Sequence, residues 1–306
     1  MMQGENTPSY IQTHRRGELA EKIRQAYDIL GDCILCPRQC HVDRLSGETG
    51  VCRTGRYMKV AAAHPHFGEE APLVGRNGSG TIFVTYCNLM CCFCQNFDIS
   101  HEGWGQAVDD GQLAQMMLSL QDRGCHNINF VTPSHVVPQI LSGLEKAIEG
   151  GLCLPLVYNS GGYDRVETLK LLEGVFDIYM PDFKFTDAEI AGRACDAPDY
   201  PETAKAALKE MHRQVGDLVV DEQGLAVSGL LVRHLVLPEN LAGTRQAIGF
   251  IAKEISADTY VNIMSQYRPM GRAAEIPGLS RPLSAEEYHE AINAAKTEGI
   301  HRLDRP

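Results

Sequence analysis

A chain of 306 residues has room for one large α/β domain and a small appendage. Its formal charge of −11 argues against general nucleic-acid binding, which needs a basic face. No apolar run is long enough to cross a bilayer, and the start Met-Met-Gln-Gly-Glu-Asn lacks the regions of a signal peptide. A cytoplasmic protein with no membrane or nucleic-acid partner is therefore expected. Eleven cysteines without an export signal suggest metal ligation in a reducing compartment rather than disulfides.

In chain order, residues 1–57 read as an N-terminal helix and a Cys-rich metal-binding segment. Cys33, Cys36, Cys40 and Cys52 follow a C-x2-C-x3-C-x11-C spacing with Pro and Gly turns between them. Four soft ligands suit tetrahedral zinc or a [4Fe-4S] cluster, and four unligated thiols are the plain alternative. The region is too short and polar for a sizeable core of its own, so a metal would staple it. His41 is expected on the surface.

The strand-like run Thr81–Tyr86 leads into Cys87, Cys91 and Cys94, spaced C-x3-C-x2-C. Three thiolates can hold three corners of a four-iron cluster and leave the fourth iron open for chemistry. Zinc usually wants four protein ligands in C-x2-C pairs, which this triplet lacks. Cys92 reads as a buried non-ligand thiol, since using it would strain the spacing. Trp104 follows in His101-Glu-Gly-Trp-Gly105, and a packing role is expected for it.

Five further strand-like runs follow, at 127–131, 154–158, 177–180, 230–236 and 259–264. Between them, 113–121, 137–149, 165–173, 202–215 and 244–256 carry apolar residues at helical spacing. The alternation predicts a parallel sheet with right-handed crossovers. Active sites in such folds lie at the C-terminal strand ends. There the sequence offers Thr132, Ser134 and His135, then Asn159-Ser160-Gly-Gly, then Asp182 and Lys184, then Arg233 and His234, then Asn262 and Gln266. Neighbours in a strand face opposite ways, so only one of Arg233 and His234 can point inward. A hairpin is expected at 217–228. Ser284-Ala-Glu-Glu287 is a capping box opening a helix in the tail, residues 271–306.

The cysteine triplet followed by Gln95-Asn96, with Cys36-Pro-Arg-Gln-Cys40, His66-Phe-Gly-Glu-Glu70 and Gly75-Arg-Asn-Gly-Ser-Gly80, resembles the radical S-adenosylmethionine (SAM) superfamily. Within it, the set is similar to a branch of pyruvate formate-lyase activating enzyme homologues, over roughly residues 30–270. The resemblance implies an open (β/α)6 TIM-like partial barrel at 58–270 and a [4Fe-4S] cluster on Cys87, Cys91 and Cys94. It implies that SAM chelates the open iron and is cleaved by one electron to a 5′-deoxyadenosyl radical that abstracts hydrogen. An electron donor such as flavodoxin or ferredoxin is implied as a partner, and a protein substrate is one of the open choices.

By the same resemblance Phe93 faces the adenine, while Asn159, Ser160, Asp182, Lys184 and Arg233 surround SAM. The family's Gly-Gly-Glu-like motif for the SAM amino group is missing, and Thr132 and Ser134 stand in its place. Tyr267 and Arg268 fall at the rim, where the activating enzymes place a histidine. Glycyl-radical enzyme activation is one candidate activity; modification of another protein, peptide or metabolite is equally open. A non-catalytic iron-sulfur electron carrier and a zinc-stapled binding module are the readings from other classes.

Overall fold

The computed structural model describes residues 7–304. Its strands are β1 (Met58–His66), β2 (Ser79–Val84), β3 (Gln106–Val108), β4 (Ile128–Val131), β5 (Leu156–Ser160), β6 (Ile178–Pro181), β7 (Val219–Val220), β8 (Ala226–Leu235) and β9 (Tyr260–Met264). The order across the sheet is β3-β1-β2-β4-β5-β6-β8-β7, with β9 also on β8. Strands β2, β4, β5, β6, β8 and β9 pair in parallel and form the six-unit partial barrel. Every residue of β5 and β6 is buried, as expected of parallel strands covered on both faces.

Strand β8 changes partners along its length. Gly229 and Leu230 pair with β6, and Leu231–Leu235 pair with β9. Its first residues pair with β7, which gives the expected hairpin around Asp221–Gly224. Two strands were not expected from the sequence. β1 runs antiparallel to β2, and β3 lies antiparallel on β1. β1 is Ala-, His- and Pro-rich and mostly half-buried, and β3 is three residues with two exposed, so both lack the apolar alternation that marks a strand.

The crossover helices lie close to the expected spans: Asp110–Asp122, Val137–Glu149, Val166–Leu171, Tyr200–Val215 and Thr244–Phe250. The last runs on into one π-helical turn at Ile251–Ile255. Asp109 and Gln112 form a capping box that starts the first of these helices, and Pro138 occupies the opening turn of the second. Ser284 and Glu287 form the expected box at the start of Ala285–Glu298, which packs on the Thr244–Phe250 helix. Beyond it, Val261 of β9 bonds to the backbone of Arg302 and Asp304, so the tail covers the open edge of the barrel.

Two helices, Ser9–Arg15 and Glu18–Asp28, close the N-terminal end of the strands. Ser9 N–H donates to Asp177 at 2.7 Å, Tyr10 OH to the Leu154 carbonyl at 2.9 Å, and Thr13 to the Gly174 carbonyl at 2.6 Å. Leu19, Leu30 and Leu35 join the main core. The segment thus borrows the barrel's core rather than relying on a metal staple alone. Among the described residues no helix is long and apolar enough to cross a membrane.

Candidate cluster and cofactor site

The cysteine loop leaves the C-terminal end of β2. Tyr86 and Met90, each just before a cysteine, have φ of 70° and 57°, which turns the loop back on itself. Leu89 N–H donates to Cys87 Sγ at 3.3 Å, and Cys94 N–H to the Cys91 carbonyl at 3.1 Å. Phe93 is buried, edge-on to Phe185 at 6.0 Å and Tyr267 at 5.8 Å. Tyr267, expected at the rim, is buried and its OH donates to the Leu279 carbonyl at 2.6 Å. Its aromatic body serves the packing around Phe93. Trp104, expected to pack, is instead 62% exposed.

Burial pushes the Cys87 thiol up to about 12, and the neighbouring Cys91 adds to this. Burial also raises Cys94, and it raises Cys92 to about 11. Cys91 goes the other way: a hydrogen bond from Cys195 favours its thiolate against burial, and the Lys184 charge helps. The Cys195 and Cys91 sulfurs are 3.4 Å apart. Cys195 had no signal in the sequence, because it ends a helix 104 residues away and reaches the loop only through tertiary packing. Cys92 N–H bonds to the Ala194 carbonyl at 2.8 Å and locks that contact.

The ends of β5, β6 and β8 bring Asn159, Asp182, Lys184 and Arg233 into one buried network. Arg233 donates through Nε to Asp182 at 2.7 Å and through Nη2 to the Asn159 side-chain oxygen at 2.7 Å. Lys184 Nζ pairs with the other Asp182 oxygen. Burial alone would raise Asp182, but Arg233 and Lys184 hold it below its ordinary value. The same pairings outweigh burial at the two cations and raise both. Tyr200 OH ties the ends of β5 and β6 together, donating toward the Gly161 and Asp182 carbonyls and accepting from Lys184 N–H at 2.9 Å.

Other expected site residues lie apart from this network. Ser160 donates to Asp164 at 2.6 Å, and Tyr158 OH donates to the same carboxylate at 2.9 Å. Thr132, at φ 66°, is held through its N–H to the Asn159 carbonyl at 2.8 Å. Ser134 is buried, its hydroxyl beside the Asp164 carboxylate and Tyr158. His234 lies on the opposite face from Arg233, bonded to the Phe183 carbonyl at 2.6 Å and Thr244 at 2.9 Å. Asn262 donates to Glu70 at 2.8 Å. Glu69 and Glu70, both quoted from the sequence motif but given no role, stand 3.9 Å from Arg233. Their signal was an acidic pair before β2; only the fold shows that it faces the arginine. Burial raises Glu70 despite that arginine.

The N-terminal cysteines line one small cavity together with Arg44 and His135. Cys33, Cys36 and Cys52 are buried and Cys40 is partly so. Burial pushes Cys36 up to about 12. His135 bonds through Nε2 to the Thr85 carbonyl at 3.0 Å, while Nδ1, also buried, has no partner. Burial lowers its pKa to about 4, so it is neutral. His41 is exposed, with Nδ1 2.9 Å from Asp32. Among the described residues, no three Cys, His, Asp or Glu side chains are grouped closely enough to hold one metal ion.

These strands and the loop after β2 define a partial-barrel α/β fold. It is similar to a radical SAM methyltransferase from Sphaerobacter thermophilus, with a TM-score of 0.50 and 12% identity over 74% of this chain and 67% of that one. A second solved structure, the radical SAM methyltransferase TsrM from Kitasatospora setae, aligns with a TM-score of 0.49 and 16% identity over 76% of this chain and 55% of that one. No family model matches the chain. The chain belongs to the family of the uncharacterized protein MJ0674 of Methanocaldococcus jannaschii, to which it is 33% identical over 283 residues, 90% of this chain and 77% of that protein.

Proposed function

We propose that the protein is a radical SAM enzyme. The observation that carries the reading is the Cys87, Cys91, Cys94 loop at the C-terminal end of β2, beside the polar network at the ends of β5, β6 and β8. The donor set fits a [4Fe-4S] cluster. Three thiols at this spacing sit beside a buried lysine whose charge reaches Cys91. When bound, such a cluster supplies the electron that cleaves SAM reductively.

The chain's own residues bind and orient. Lys184 and Arg233 are buried cations at the strand ends, suited to the SAM carboxylate. Asp182 fixes both of them, and Asn159 aims the arginine. Ser134, a buried hydroxyl just beyond β4, is suited to accept from the SAM amino group in place of the missing acidic motif. Phe93 closes the floor of the site with Phe185 and Tyr267 and keeps water out. The radical's target is a protein or a small molecule. Glycyl-radical enzyme activation remains one candidate, with a flavodoxin- or ferredoxin-class donor supplying the electron.

The test is anaerobic reconstitution with iron and sulfide, reduction, addition of SAM, and assay for 5′-deoxyadenosine. Product is expected from the wild type and none from Cys91→Ala. A second reading, a non-catalytic iron-sulfur electron carrier, draws on Cys195, a fourth thiol in contact with Cys91. A fully thiolate-ligated cluster has no place for SAM. The electron paramagnetic resonance spectrum of the reduced protein would then stay unchanged on SAM addition, whereas an open iron predicts a shift.

A further inference from the structure

We propose that Cys33, Cys36, Cys40 and Cys52 hold a second four-iron cluster, packed directly against the cysteine loop. This site is separate from the SAM reading and does not rest on it. All four thiols line one cavity, and three of them are buried. Buried thiolates need a positive partner. Two guanidiniums line the cavity: Arg44 lies 3.8 Å from Cys33 and is committed to the Gly55 and His135 carbonyls, and Arg38 is committed to the carbonyls of Asn88, Leu89, Cys195 and Asp196. Two cations committed in this way would not balance four thiolates, and a bound metal group would.

The grouping of the side chains selects the metal. A zinc ion binds each sulfur at about 2.3 Å, so its thiolates lie within about 4.6 Å of one another. The chain offers no such three-residue group among its described residues. A four-iron cube spreads its thiolates around a larger body. Two features hold the N-terminal thiols in place. A Cβ on Gly50 would come within 2.5 Å of Cys40 Sγ, so only glycine lets that thiol turn inward. Gln39 and His41, on either side of Cys40, and Arg53, just after Cys52, take left-handed φ of 39°, 53° and 52°. His135 adds a buried, unpartnered Nδ1 on a ring that lines the same cavity.

Two bridges join this site to the cysteine loop. His135 Nε2 bonds to the carbonyl of Thr85, two residues before Cys87. Arg38, between Cys36 and Cys40, donates to the Asn88 and Leu89 carbonyls at 2.9 and 3.2 Å, inside the loop itself.

The experiment is metal and sulfide analysis of three full-length proteins reconstituted anaerobically: wild type, the Cys33→Ser/Cys36→Ser double variant, and the Cys87→Ala/Cys91→Ala/Cys94→Ala triple variant. About eight irons per wild-type chain and about four in each variant are expected, with Mössbauer spectra of the triple variant showing a four-iron cluster. Its N-terminal segment is native, so a folding defect of the double variant does not decide the matter. One zinc beside about four irons in the wild type, or an iron-free triple variant, would overturn the proposal. Loss of SAM cleavage with about eight irons retained would count against the proposed function alone.

Discussion

Arg233 and His234 are adjacent in β8 yet do opposite work, because the pleat sends one into the polar network and the other beneath a helix. Their pH signatures differ accordingly. Burial lowers His234 to about 4, and it is fully enclosed. The unfolded chain binds that proton from about pH 6.5 downward. The stability it withholds from the protonated state is therefore intact above that pH and lost as pH falls toward 4. Lowering His234 from its ordinary value to about 4 corresponds to ~3 kcal/mol. Asp182 is depressed, so its contribution is present above about pH 3.9 and is lost only below it, outside the histidine's window. We expect His234→Gln to flatten the wild-type loss between pH 6.5 and 4 by ~3 kcal/mol in urea titrations, since other groups cancel in the difference. An unchanged slope would show that the proton is taken up elsewhere.

At the scale of elements, the loop between β5 and the helix at Val166–Leu171 depends on Gly162. It has φ 74°, and a Cβ there would stand 2.0 Å from the Asp182 carbonyl at the end of β6. Gly162→Ala must push β5 and β6 apart, and a loss of at least about 2 kcal/mol is expected, with weakened SAM binding by calorimetry. A variant as stable as wild type would mean that the strand ends yield easily. The sequence shows why a glycine stands at such an end but not which backbone it meets. The six parallel strands were legible because each is a short apolar run between helical patterns. β1 and β3 were not, since β1 is held by pairing on β2 and β3 by pairing on β1, and not by their own burial. The cysteine triplet was legible from spacing alone, whereas Cys195 and Glu70 acquire partners only when distant strands and helices meet.

At the scale of the whole molecule, one side chain links three parts of the chain. Arg38 comes from the N-terminal cysteine segment, and its guanidinium donates to carbonyls of Asn88 and Leu89 in the loop after β2. It also donates to Cys195 and Asp196, where the Ala188–Cys195 helix ends, and lies over the Tyr163 ring at 5.3 Å. A planar fork can serve four carbonyls in fixed directions, and an ammonium cannot. Arg38→Lys should therefore cost nearly as much as Arg38→Ala. Hydrogen bonds to a charged group are worth ~1.5–3 kcal/mol, and lost donors leave carbonyls beside buried Leu89 and Cys195 unpaired. A destabilisation of about 3 kcal/mol is expected in both variants. Hydrogen exchange separates this from a general weakening. Amides at 87–94 and 192–196 should exchange faster, while those of the Ala285–Glu298 helix should keep their wild-type rates. Uniform acceleration would mean that Arg38 supports the fold at large; no acceleration at 87–94 would mean that the loop is held by its own turns, with the N-terminal segment merely resting against it.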